Sequence, residues 1–186
     1  MIIAGLISLS CKPYHSGHDG LIKMAAKECD FVEIYVSVLN RARTGEVPIY
    51  GDTMQFLWDN YITKTMPENV EVHLVNGSPV QEVFRRLGEA DIEDTGETKF
   101  RLYADNHDAD KTWQTKYLVK CCPRICSSER LEVVGVPRDN IVCISGTDMR
   151  QFLQHDDKES FIRYIPETLD GEMMWDMYKN DLNRKF

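Results

Sequence analysis

Short apolar runs alternate with longer amphipathic stretches along this 186-residue chain, and that alternation admits few folds. Residues 2–10, 31–39, 70–75, 100–104, 131–136 and 141–144 have the length, branching and apolar content of strands. Between them, residues 17–29 carry Leu21, Ile22, Met24, Ala25 and Ala26 at helical spacing. Residues 52–65 put Met54, Leu57, Trp58, Tyr61 and Ile62 on one side, and Pro67 ends that helix. Ser78 and Pro79 form the cap and first turn of a further helix that closes near Gly88. Residues 108–120, 147–154, 160–164 and 171–182 complete the helical set, and loops are predicted at 40–51 and in the acidic stretch 89–97. Strands that alternate with helices predict an α/β fold whose mostly parallel sheet is covered on both faces. There is no internal repeat, and the length suits one domain, a core over residues 1–155 with a helical extension over 156–186.

Charge narrows the partners. The net charge of −8 argues against nucleic acid, because a phosphate backbone rewards a basic face. No apolar run is long enough to span a bilayer, so no membrane partner is expected. Residues 1–7 lack a preceding basic region and a following cleavage site, so they read as a first strand and the chain as cytoplasmic. Reduced thiols are then the default for the six cysteines. Cys121 and Cys122 are adjacent and could bridge each other only with strain, and Cys121, Cys122 and Cys126 have no second cluster with which to build a zinc site.

Two motifs carry the chemistry. Pro13-Tyr14-His15-Ser16-Gly17-His18 follows the first strand, and Ile144-Ser145-Gly146-Thr147-Asp148-Met149-Arg150 stands at a later strand-to-helix junction. In an open parallel sheet both fall beyond the carboxyl ends of strands, where ligands bind. A helix that starts at Gly17 points free N–H groups at an anion, and Gly17 permits close approach. His15 in the loop and His18 in the first turn can each donate a hydrogen bond to a phosphate oxygen. The alternatives are a two-histidine metal pair or simple helix capping. In the second motif, Ser145 and Thr147 offer hydroxyls and cap the next helix, and Gly146 removes a side chain that would block approach. Arg150, one turn in, can lay its forked guanidinium on a pyrophosphate. The plainer alternative is an ordinary capped helix with a surface arginine. Together the motifs suit attack on the α-phosphate of a nucleoside triphosphate with pyrophosphate leaving.

His-Ser-Gly-His matches the signature His-x-Gly-His, and Ile-Ser-Gly-Thr-Asp-Met-Arg matches Ile-Ser-x-Thr-x-x-Arg. On these motifs, spanning residues 1 to about 155, the chain resembles the nucleotidyltransferase superfamily, including the nicotinamide-mononucleotide and phosphopantetheine adenylyltransferases. The resemblance implies a Rossmann-like three-layer fold and transfer of AMP from ATP to a phosphorylated small molecule. Nicotinamide mononucleotide is the first candidate acceptor and phosphopantetheine the second. It implies that His15 and His18 stabilise the transition state, while Ser145, Thr147 and Arg150 hold the β- and γ-phosphates. Ser10 would sit near the acceptor phosphate, Lys12 is assigned a phosphate role as well, and Arg41 or Arg43 is the basic residue after the second strand. A homo-oligomer is in keeping with the family.

The chain also departs from the family patterns. Leu9-Ser10-Cys11-Lys12-Pro13 replaces the Gly-Arg-Phe-x-Pro run of many nicotinamide-mononucleotide enzymes, and the cytidylyltransferase run Arg-Thr-x-Gly-Ile-Ser-Thr is missing. Arg150 favours ATP over CTP. A cytidylyltransferase and a nucleotide sensor without turnover are the alternatives. Magnesium is expected on the substrate phosphates rather than in a protein cage. Asp105 and Asp108 face the site or cap a turn, with the turn favoured. Trp58 and Trp113 read as core, with stacking on a ligand ring as the alternative.

Overall fold

The computed structural model describes residues 1–93, 95–137 and 140–184, apart from the side chains of 107 and 110. Five strands form one parallel sheet in the order β3-β2-β1-β4-β5: β1 (Ile2–Leu9), β2 (Phe31–Ser37), β3 (Val70–Val75), β4 (Thr98–Asp105) and β5 (Leu131–Val136). β1 pairs on one side with β2, Ala4 opposite Phe31, and on the other with β4, Ala4 opposite Phe100.

Side chains that alternate along a strand point to opposite faces, so each central strand feeds two cores. From β1, Ile7 and Leu9 join one cluster while Ala4 and Leu6 join the other. On the first face lie α1 (Ser16–Glu28), α2 (Gly51–Leu57), α7 (Gly146–Gln154), α8 (Lys158–Arg163) and α9 (Gly171–Asp181). On the second lie α3 (Pro79–Ile92), α5 (Thr115–Cys121) and α6 (Pro123–Ser127). The result is the Rossmann-like three-layer α/β architecture. α4 (Asn106–Thr112) follows β4 directly. The C-terminal helices reach the first motif: Ser16 donates both its N–H and its Oγ–H to the Tyr164 carbonyl, at 2.8 and 2.9 Å.

Three local expectations are corrected. Residues 141–144 do not pair as a strand. Val142 is exposed, the Ile144 N–H bonds the Val142 carbonyl, and Ile141 packs on α1 at Gly20. The helix from Pro79 runs through Gly88 to Ile92, because Arg124 Nη1 reaches the Asp91 and Ile92 carbonyls and Asp91 Oδ1 accepts from the Ile125 N–H. Residues 89–92 are therefore helical rather than loop, and Asp94 of that stretch lies outside the described residues. The helix expected over 108–120 breaks at Trp113 and Gln114, where the indole turns inward toward Phe84 and Gln114 is extended. The helix over 52–65 continues beyond α2 as a π turn, Trp58–Ile62, and a 3-10 turn, Thr63–Thr65.

Candidate active site

The sheet grows outward from β1 through β2 to β3, then restarts on the other side at β4. The carboxyl ends of β1 and β4 are thus the switch point at which parallel sheets bind ligands. A cavity of about 270 Å3 opens there, walled by Ser8, Leu9, Ser10, Ala104 and Asp105 from the strand ends. His15, Gly17, His18 and Leu21 from α1 form a second wall, and Ile141, Val142, Ile144, Ser145 and Gly146 a third.

His15 is the N-cap of α1, and its Nδ1 accepts from the Gly17 N–H at 3.2 Å. An acceptor Nδ1 places the proton of the neutral ring on Nε2, which is buried and has no hydrogen-bond partner among the described residues. His18 stacks on His15 with ring centroids 3.7 Å apart, and Tyr14 stacks on His18 at 5.9 Å. Burial drives the His15 pKa down to about 3, and burial followed by the neighbouring His15 pushes His18 well below the usual imidazole value. Both rings are therefore neutral at pH 7 without ligand. They are hydrogen-bonding groups waiting for a partner, not resident cations.

The third wall lies close because two glycines let it. A Cβ on Gly17 would sit 2.9 Å from the Val142 carbonyl oxygen, and one on Gly146 would sit 3.1 Å from that of Lys12. α7 begins with a reciprocal cap. The Ser145 Oγ accepts from the Asp148 N–H at 3.1 Å, and the Ser145 N–H donates back to Asp148 Oδ2 at 2.9 Å. The Ser145 hydroxyl proton also goes to Asp148, at 2.6 Å. Ser145 thus faces the cavity with its donors already committed.

Arg150 is buried one turn further on. Its Nη1 donates to the Lys12 carbonyl at 2.7 Å and its Nη2 to Thr147 Oγ1 at 3.0 Å. Thr147 itself is exposed, so its hydroxyl braces Arg150 rather than lining the cavity. The guanidinium lies beside the cavity wall, with Nη1 3.2 Å from where a Cβ of Gly146 would stand.

A second cavity of about 250 Å3 shares Ser10 with the first and is lined by Lys12, Ser37, Arg41 and Arg43. Lys12 Nζ donates to the Ser37 carbonyl at 3.0 Å. Burial, reinforced by the charge of Arg41, lowers the Lys12 pKa to about 8. Arg41 is held by Glu46, whose Oε2 accepts from Arg41 Nε at 3.0 Å and Nη2 at 2.8 Å and lies 3.2 Å from Arg150 Nε.

The two sequence motifs therefore meet. Ser10, His15, Gly17, His18, Ser145 and Gly146 share one cavity, Lys12 and Arg41 line the next, and Arg150 lies at the cavity wall with Thr147 bracing it. Asp105, Asp108 and Thr112 also line the first cavity. Trp58 and Trp113 are both buried in the core. Sequence reasoning missed Glu46, which nothing in a loop of mixed charge distinguishes before the loop is folded. It also missed the Asp148 side of the cap, although Ser145-x-x-Asp148 is a readable capping pattern. Among the described residues no group of three or more His, Cys, Asp or Glu could hold a metal ion. All six cysteines are free, with the Sγ atoms of Cys122 and Cys126 3.8 Å apart.

No family model matches the chain, and no curated protein matches it in sequence. Solved structures do match in shape. A candidate nicotinate-nucleotide adenylyltransferase from Vibrio parahaemolyticus superposes with a TM-score of 0.58 at 18% identity, covering 94% of this chain and 99% of that one. Nicotinic acid mononucleotide adenylyltransferase from Plasmodium falciparum, complexed with NaAD, gives 0.53 at 14% identity, covering 96% and 98%. This chain has the fold of the nucleotide adenylyltransferases. A bifunctional NMN adenylyltransferase/ADP ribose pyrophosphatase from Francisella tularensis gives 0.59 at 13% identity, covering 98% of this chain and 53% of that one. At such identities the likeness speaks for architecture, so the chemistry rests on the residues themselves. No described helix is long and apolar enough to cross a membrane.

Proposed function

We propose that the protein is a nucleotidyltransferase that moves the AMP moiety of ATP onto the phosphate of a small phosphorylated acceptor and releases pyrophosphate. The observation that carries this reading is that His15, whose buried Nε2–H has no partner among the described residues, lines one cavity together with His18 and the start of α7. A buried donor without a partner is costly, and a phosphate oxygen would satisfy it. An acceptor phosphate monoester is mostly ionised at pH 7, so one of its oxygens can attack the α-phosphorus without a general base. The bond from that phosphorus to the bridging oxygen then breaks, and the electron pair leaves with pyrophosphate. His15 and His18 would donate to oxygens that gain charge at the α-phosphate, while Arg150, the free N–H groups at the start of α7 and Arg41 would hold the leaving group.

The acceptor phosphate is assigned to the side of the second cavity that Ser10, Lys12 and Arg43 line. Nicotinamide mononucleotide is the first acceptor proposed and phosphopantetheine the second. Magnesium would arrive on the triphosphate and neutralise part of its charge. Asp105 and Asp108, on the wall of the first cavity, would be the carboxylates nearest its waters. The test is incubation with magnesium, each nucleoside triphosphate and a panel of phosphorylated acceptors, following pyrophosphate. Release with ATP and one acceptor supports the reading. Release with CTP alone makes the protein a cytidylyltransferase. Nucleotide binding without release from any pair makes it a sensor.

A further inference from the structure

The two arginines assigned to the departing pyrophosphate share a single carboxylate in this structure. Glu46 Oε2 accepts from both Nε and Nη2 of Arg41 and sits 3.2 Å from Nε of Arg150. On Arg41 that oxygen takes the donors a phosphate oxygen would use, and at Arg150 it makes an ion-pair contact, the Nε having no hydrogen-bond partner among the described residues. Glu46 comes from a loop closed at its neck by Arg41 and Ile49, which exchange backbone hydrogen bonds of 2.8 and 2.9 Å. Gly45, at φ 82°, makes the turn that brings Glu46 back over Arg41. The partners differ in freedom. The Arg150 side chain is 7% exposed and tied to Lys12 and Thr147, whereas the Glu46 side chain is 30% exposed and open toward solvent. Of the two, Glu46 is the one that can leave. Asp148 holds Ser145 in a different way, through a cap local to α7 that any ligand can leave intact.

We propose that Glu46 is a built-in competitor for pyrophosphate. It holds Arg41 and Arg150 while no triphosphate is bound, yields them when the β- and γ-phosphates arrive, and retakes them as pyrophosphate departs. This rests on the reading of those arginines as pyrophosphate ligands. Its consequence is selective: Glu46 weakens only ligands that carry the β- and γ-phosphates. AMP, whose single phosphate is assigned to the histidines, does not meet it.

The experiment is calorimetric titration of the full-length protein with inorganic pyrophosphate and, separately, AMP, both with magnesium. Wild type is compared with Glu46→Gln and Glu46→Ala, the second because a glutamine oxygen can still accept from arginine. Glu82→Gln, a charge change on the exposed side of α3, is the control. Thermal melts confirm that each variant is folded. Both Glu46 variants are expected to tighten pyrophosphate by roughly tenfold, the scale of one charge-assisted hydrogen-bonding group, with AMP unchanged within about twofold. Unchanged or weaker pyrophosphate binding would overturn the proposal and make Glu46 a positioning residue. Equal tightening of AMP and pyrophosphate would overturn it as a general charge effect. If neither wild type nor the variants bind pyrophosphate, the assignment of Arg41 and Arg150 fails as well. A finite affinity that Glu46 does not alter defeats the competitor alone.

Discussion

Replacing His15 by Asn separates its two duties. As N-cap, His15 supplies an acceptor to the Gly17 N–H, and Asn is a strong N-cap acceptor that can take over that bond. What Asn lacks is a titrating ring and the Nε2–H. Burial lowers the folded-state pKa of His15 to about 3, against about 6.5 in the unfolded chain. The unfolded state therefore binds the proton first as the pH falls. The neutral ring's contribution is fully present above about pH 6.5 and is lost progressively down to about pH 3. Between pH 7 and pH 5 this one residue should cost wild type about 2 kcal/mol of unfolding free energy. Urea unfolding at pH 7, 6 and 5 measures it. The stability gap between wild type and His15→Asn is expected to move by that amount toward the variant as the pH falls. Parallel losses in the two proteins would mean that the imidazole is not held neutral, and the tautomer argument for Nε2 as a waiting donor would fail with it. In the pyrophosphate-release assay the same variant is expected to lose roughly a hundredfold or more in kcat, the scale of one transition-state donor.

Lys12 is half neutral near pH 8, so kcat/KM is expected to fall as the pH rises through that value, and Lys12→Arg to move the alkaline limb upward. Arg150→Lys keeps the charge but cannot span the Lys12 carbonyl and Thr147 Oγ1 together; a loss of at least about thirtyfold in kcat/KM, checked by initial rates, is expected. Ser145→Ala removes the acceptor for the Asp148 N–H and the hydroxyl that bonds its carboxylate, and a melt should show a loss of about 1 kcal/mol, or roughly 2–4 °C in Tm.

Much of this site was legible because its signals are local. A histidine before a helix start, a glycine at a close approach and a serine at the start of a helix depend on neighbours in sequence. They predict the caps at His15 and Ser145 before any fold is known. That ligands bind beyond the carboxyl ends of the strands followed from strand–helix alternation, whereas the strand order that sets the switch point did not. Most of the unread parts are tertiary. The strand expected at 141–144 has the composition of one, yet its side chains cover α1 and wall the cavity instead of pairing. Trp113 breaks a periodic helix because Phe84, far away in sequence, offers its indole a buried place. Two contacts local to α7 also went unread: the Ser145 hydroxyl donates to Asp148, and Arg150 donates to the Thr147 hydroxyl. Glu46 reaches Arg150 only after the loop folds over β2's end, and no spacing rule connects the two.

The most direct measurement of the central proposal follows the label. ATP carrying radioactive phosphorus at the α position, and separately at the γ position, is incubated with magnesium and the acceptor that supports turnover. Attack at the α-phosphorus puts the α-label into the acceptor product and leaves the γ-label in pyrophosphate. A γ-label found on the acceptor, or released as orthophosphate, would contradict the assignment of His15 and His18 to the α-phosphate and of Arg150 to the leaving group.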